Sequence, residues 1–167
     1  FLQAAGNGVA DYFCITSRVD GNKLTFDNGL LGVFSDNVEY SVGSKENWER
    51  LSKETVITIN EGDSVYFRNY TDIANTNGGE VLFDITDEFD AGGNIMRLLY
   101  PGQSAVPANG MDKLFRELPI TSAADLKLTT KTVGAYAYSN MFSGCTGLTT
   151  APELPATVLA ESCYSGM

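Results

Sequence analysis

Between Asp11 and Tyr100 the apolar residues come in short bursts, broken by turn-forming residues roughly every 8 to 12 positions. Tyr12-Phe13-Cys14-Ile15-Thr16 and Lys23-Leu24-Thr25-Phe26 flank Asp20-Gly21-Asn22. Gly21 can take the positive φ of a tight turn, so this arrangement predicts a hairpin. Further strands are predicted at Leu30 to Phe34, Val38 to Val42, Thr55 to Ile59 and Ser64 to Arg68, all rich in β-branched or aromatic side chains. Thr55, Ile57 and Ile59 alternate with Val56, Thr58 and Asn60, a period of two without a clean one-face pattern. No helix is predicted in this stretch. Short strands at this spacing point to an antiparallel sandwich or a small barrel.

Past Tyr100 the pattern changes. A Pro- and Gly-dense stretch, Pro101 to Gly110, marks a connector or long surface loop. Beyond it the sequence repeats: Tyr138-Ser139-Asn140-Met141 returns as Tyr164-Ser165-Gly166-Met167, 26 residues on. A weaker copy aligns Leu114-Phe115 with Met141-Phe142, at a shift of 27, and Ile120-Thr121-Ser122-Ala123 with Leu148-Thr149-Thr150-Ala151. Asp125-Leu126 likewise aligns with Glu153-Leu154. Such a period lies within the roughly 20 to 29 residues of leucine-rich repeats, whose units bury their apolar sides only by stacking. Leu148, Ala151 and Leu154 are expected to face inward, with Leu159, Cys163 and Tyr164 closing the back. Pro152 and Pro155 prevent this stretch from running on as helix or central strand. The fold class expected is therefore mainly β. An N-terminal antiparallel β-sandwich-like domain (1–100) and a connector (101–112) precede the start of a leucine-rich-repeat-type solenoid of about two units (113–167).

Charge and composition exclude several functions. The 167 residues carry 21 acidic and 11 basic side chains and no histidine, a formal charge of −10. Without histidine there is no Ser-His-Asp or Cys-His pair and no His-bearing metal site. Negative charge repels phosphate backbones and anionic lipid, so nucleic acid is not an expected partner. Apolar runs such as Leu98-Leu99-Tyr100 fall far short of the ~20 residues of a membrane span, so membrane insertion is not expected either. The charge is unevenly placed: seven basic and seventeen acidic residues lie up to Asp112, and four of each from Lys113 on. Neutral repeats suit surfaces that stack. The chain begins at Phe1 and its repeat breaks off at Met167, so it is expected to be part of a longer or processed protein.

The candidate chemistry is sparse. Cys14, Cys145 and Cys163 are odd in number and lack CxxC spacing, so they read as small buried apolar groups. Asp84-Ile85-Thr86-Asp87-Glu88-Phe89-Asp90 is dense in oxygen ligands but lacks the order of a calcium loop. Phe83, Ile85, Phe89 and Ala91 facing inward, with the carboxylates in water, explain it more simply. Acidic pairs of the glycosidase type are not marked by position. Trp48, the single tryptophan, reads either as core or as a ring on which a sugar can stack. Asn94 reads as a turn residue tolerating positive φ, and Asn69-Tyr70-Thr71 as a glycosylation sequon of little weight. No catalytic residue, metal or cofactor is expected.

Asn140 to Thr157, of the form MF-x-GCT-x-LT-x-AP-x-LPAT, resembles the repeat of BspA-like leucine-rich-repeat surface proteins of gut Bacteroidetes, including Bacteroides, and of their phages. Upstream, Glu39-Tyr40-Ser41, Asn47-Trp48, Glu61 to Arg68 and Gly93 to Tyr100 are similar to the β domain preceding such repeats. The first unit departs from the pattern, with Leu118 near the place of the GCT cysteine, Ala137 in place of Cys163 and two extra residues near Lys127-Leu128. A capping repeat packed on a β domain would look this way. The resemblance implies a non-enzymatic, surface-exposed or secreted adhesion protein whose repeats meet a protein or glycan on a cell surface. Thr149, Thr150, Glu153 and Thr157, with Trp48, are the expected ligand-facing residues. The alternatives are a fibre or decoration protein on a phage virion surface, with a homo-oligomer possible, and a ligand-free spacer. An export signal ahead of Phe1 is expected for the adhesin and none for the virion protein.

Overall fold

The computed structural model describes residues 11–26, 38–52, 54–70 and 83–167. Its strands are β1 (Phe13–Ser17), β2 (Asn22–Thr25), β3 (Val38–Val42), β4 (Glu49–Arg50), β5 (Val56–Ile59) and β6 (Ser64–Asn69). There follow β7 (Asp84–Ile85), β8 (Phe89–Asn94), a one-turn helix α1 (Met96–Leu99), β9 (Ala105–Val106), β10 (Ile120–Lys127) and β11 (Thr132–Val133). The described residues are thus mainly β, in three sheets, none closed. A six-stranded sheet runs β10-β8-β1-β6-β3-β4, a three-stranded one β5-β2-β7, and β11 pairs with β9. The predicted strand at Leu30 to Phe34 lies outside the described residues.

Period-2 burial builds the core. Phe13 and Ile15 of β1 pair in register with Phe67 and Val65 of β6, and all four are buried. On the smaller sheet Leu24, Ile57, Ile59 and Ile85 are buried. Phe26, just after β2, meets Phe67 edge-on at 5.9 Å and joins the two sheets in one apolar core. As expected from the sequence, Phe83, Ile85, Phe89 and Ala91 point inward while Asp84, Asp87 and Glu88 are exposed.

The expected hairpin is not formed. The turn at Gly21 is present, with φ 70°, but β1 pairs with β6 and β8 while β2 pairs with β5 and β7. The turn carries the chain from one sheet to the other. At the end of β1 the Ser17 N–H donates to Asp63 O and its carbonyl accepts from Gly62 N–H. Across the turn, the buried Asn22 amide donates to the Asp87 and Glu88 carbonyls, and its Oδ1 accepts from the Asp87 N–H and the Thr86 hydroxyl. These bonds commit the two flanks to different neighbours. The unpredicted α1 follows β8, where Asn94 Oδ1 accepts the Met96 N–H and Ile95, Leu98 and Leu99 are buried. The positive φ at this corner belongs to Gly93, at 70°, and not to Asn94.

The C-terminal part contains three stacked ribbons of turns, 107–118, 134–145 and 160–166. The first begins at Pro107, within the stretch 101–112, and buries Met111 and Asp112. Within each ribbon an N–H reaches the carbonyl three residues back, as from Arg116 to Lys113 and from Ser143 to Asn140. Every fourth residue has positive φ: Asn109, Lys113 and Glu117, then Tyr136, Asn140 and Gly144, then Ser162 and Gly166. Between ribbons the Asn109, Met111 and Lys113 N–H groups donate to Ala135, Ala137 and Ser139, and those of Tyr136, Tyr138 and Asn140 donate to Glu161, Cys163 and Ser165. Side chains follow the same register. Phe115 stacks on Phe142 at 5.5 Å and Tyr138 on Tyr164 at 5.3 Å, with planes 3° and 8° apart. These are the pairs that the shifts of 27 and 26 superimpose.

The inward set needs correction. Leu148 and Tyr164 are half-buried and Cys163 is buried, but Ala151, Leu154 and Leu159 are exposed, the two leucines to 50% and 59%. Pro152 is buried in their place. Because Pro152 and Pro155 have no N–H to give, the segment 151–156 forms no ladder that would turn Leu154 inward.

Candidate ligand-binding surface

The strip that holds the expected ligand-facing residues is hung on β10. Thr149 donates both its N–H and its hydroxyl to Thr121 O, at 3.0 and 3.1 Å. Thr150 bridges to Ser122 and accepts the Ala123 N–H at 2.8 Å. The chain then leaves β10 and rejoins the fold where the Thr157 and Val158 N–H groups donate to Lys131 O, both at 2.9 Å. Between these anchors lies a groove of about 310 Å³, with Asp125, Lys127 and Thr129 on the β10 side and Glu153 and Pro155 on the other. Thr149, Thr150, Glu153 and Thr157 are all exposed along this one segment. Pinned backbone with exposed polar side chains is an arrangement that can hydrogen-bond a ligand without refolding.

Trp48 lies elsewhere. It is half-buried beside β4, its Nε1 donates to Lys45 O at 3.0 Å, and its ring meets Tyr12 edge-on at 4.9 Å. The Arg68 guanidinium lies 4.2 Å from the centre of the Trp48 ring and is held by Glu39 through Nε to Oε2 at 2.6 Å. One face of Trp48 is therefore already covered by a cation and is closed to a sugar. Next to it is a cavity of about 350 Å³, where β1, β6, β8 and α1 end or begin, lined by Tyr12, Arg68, Tyr70, Asn94, Arg97 and Thr129 among others. Thr129 also lines the groove, so cavity and groove adjoin. No local sequence pattern marks this cavity, whose residues come from segments far apart in the chain and meet through pairings such as Tyr12 with Asn94.

The remaining candidates are structural. Burial raises the thiol pKa of Cys14 and Cys145, and the Cys145 thiol donates to Phe115 O at 2.8 Å. Both are neutral at pH 7 and poor nucleophiles. In the acidic stretch Asp90 pairs with Arg18 and accepts the Thr121 hydroxyl at 2.6 Å. No group of three or more Cys, Asp or Glu side chains among the described residues has the arrangement of a metal site. Asn69, of the sequon, is buried and its amide donates to Leu98 O at 2.8 Å, which closes it to modification in the folded chain. No protein-family model, curated protein or solved structure matches this chain.

Proposed function

We propose that this chain is a non-enzymatic, surface-exposed or secreted binding protein of the BspA-like type, in which a β domain carries the start of a leucine-rich-repeat solenoid. The repeat strip meets a protein or glycan on a cell surface. The observation that carries this reading is the exposed row Thr149, Thr150, Glu153 and Thr157 on a segment whose backbone is bonded at both ends to β10 and its extension. The ring stacking of Phe115 on Phe142 and Tyr138 on Tyr164 supports the repeat register on which it rests. Contacts repeated at a fixed step add through multivalency, so even weak single bonds suffice.

The test uses the full chain on host-glycan and extracellular-matrix protein arrays, compared with a T149A/T150A/E153Q/T157A variant. An interactor that carries no uronic or sialic acid is expected to lose about tenfold or more in affinity, while the melting temperature moves by no more than about 2 °C, as for exposed polar side chains. Full binding by the variant would assign the activity to another surface. An absence of binding across both arrays would favour the ligand-free spacer.

A further inference from the structure

The cavity beside Trp48 is charged against the trend of the molecule. The chain holds 21 acidic and 11 basic side chains, yet among the described residues the two charged ones lining this cavity are arginines, Arg68 and Arg97. Arg68 is engaged by Glu39 and by the Trp48 and Tyr70 rings. Arg97, exposed in α1, makes no ion pair among the described residues. A guanidinium without a carboxylate partner presents a rigid fork of donors that matches the two oxygens of a carboxylate.

The rest of the lining selects among anions. Tyr70, 66% exposed, and Tyr12 supply rings, while Asn94 and Thr129 supply an amide and a hydroxyl. A flat ring suits the C–H face of a pyranose, and amides and hydroxyls suit its hydroxyls. A bare phosphate or sulfate would engage the arginine and leave the rings and amide idle. A nucleic-acid strand, with a charge on every phosphate, would be repelled by the chain's net charge of −10. At about 350 Å³ the cavity falls within the size range of small-ligand sites, roughly 300 to 1,000 Å³.

We infer that this cavity binds a saccharide bearing a carboxylate, a uronic- or sialic-acid residue, with Arg97 engaging the carboxylate and Tyr70 stacking on the ring. Arg68, locked between Glu39 and Trp48, is a positioning residue that holds the wall behind Tyr70. The site shares Thr129 with the groove beside the Thr149–Thr157 strip and has none of the strip's residues in its lining, so the two surfaces are separable by mutation.

The full chain is titrated calorimetrically with oligogalacturonate and with sialyllactose, with maltohexaose and lactose as uncharged controls, at low and high salt. At least one acidic probe is expected to bind, more weakly at high salt, while the controls do not. Which probe binds identifies the source of the acid. Arg97→Glu is expected to abolish binding and Tyr70→Ala to weaken it by about tenfold or more, both with unchanged circular dichroism and melting temperature. The T149A/E153Q variant is expected to bind like the parent. Absence of binding by both acidic probes, equal binding of the controls, parental affinity in Arg97→Glu or Tyr70→Ala, or a T149A/E153Q loss as large as that of Arg97→Glu would each overturn the inference.

Discussion

Lys113, Glu117 and Tyr136 hold positive φ in the turn ribbons, where a side chain costs on the order of 1–2 kcal/mol over the right-handed region. The bonds between ribbons and the stacked rings offset that cost. Gly93 is a stricter case, because an added Cβ would run into the Tyr12 carbonyl and Phe13 Cα as well as meeting a φ of 70°. Gly93→Ala is expected to destabilise by about 3 kcal/mol or more, against about 1 kcal/mol for Gly43→Ala, whose φ is 68° but whose Cβ would meet nothing. Urea denaturation of the two variants checks the difference. Tyr138 makes stability depend on pH. Burial pushes its pKa from near 10 up to about 12. The folded state therefore favours the neutral phenol. Its contribution is intact below about pH 10, where the unfolded chain is also protonated, and is lost as pH rises from there through about 12. Urea midpoints should fall across that window, and Tyr138→Phe should flatten the fall. Some slope remains from Tyr40, also pushed up to about 12 by burial and its bond to Glu49.

At the scale of elements, β3 matches its predicted range and β1, β5 and β6 lie within a residue of theirs, because β-branched and aromatic runs bounded by turn residues leave a strand few alternatives. The stacking register was legible for another reason: identical side chains recur at 26 or 27 residues, and stacking puts like on like. The ribbons themselves were not. Three of their eight left-handed positions fall on Lys, Glu and Tyr, which carry no turn signal, and these are held by bonds to the neighbouring ribbon. The missed sheet crossing at Gly21 has the same origin, since Asn22 is held by the turn after β7, more than 60 residues away. Of the candidate surfaces, the threonine strip could be read because it lies on one segment. The arginine-lined cavity could not, because Tyr12, Arg68, Asn94 and Thr129 are neighbours only after β1, β6, β8 and β10 have paired.

In the whole molecule the acidic β region and the neutral ribbons are not separate bodies. β10 lies parallel to β8 in the six-stranded sheet, and Phe115 of the first ribbon meets both Phe13 and Phe83. Phe115→Ala, at a fully buried ring, is expected to cost about 3–5 kcal/mol and to lower the melting temperature by on the order of 10 °C. Trp48 fluorescence, which reports on the β region, should shift together with far-ultraviolet dichroism. A Trp48 transition left at the parental temperature would show that the two regions unfold independently. The bonds between ribbons also have a direction. The peptide group joining Ala135 to Tyr136 accepts from Asn109 and donates to Glu161, and those joining Ala137 to Tyr138 and Ser139 to Asn140 do likewise. Strand dipoles in a sheet largely cancel, but here they add as in a helix, and bonds in series polarise one another. The ribbons thus form an axial dipole with its positive pole on the Tyr164 side. A carbonyl or carboxylate approaching along that axis is attracted from that side alone, a polarity written in the backbone irrespective of which side chains the repeats carry.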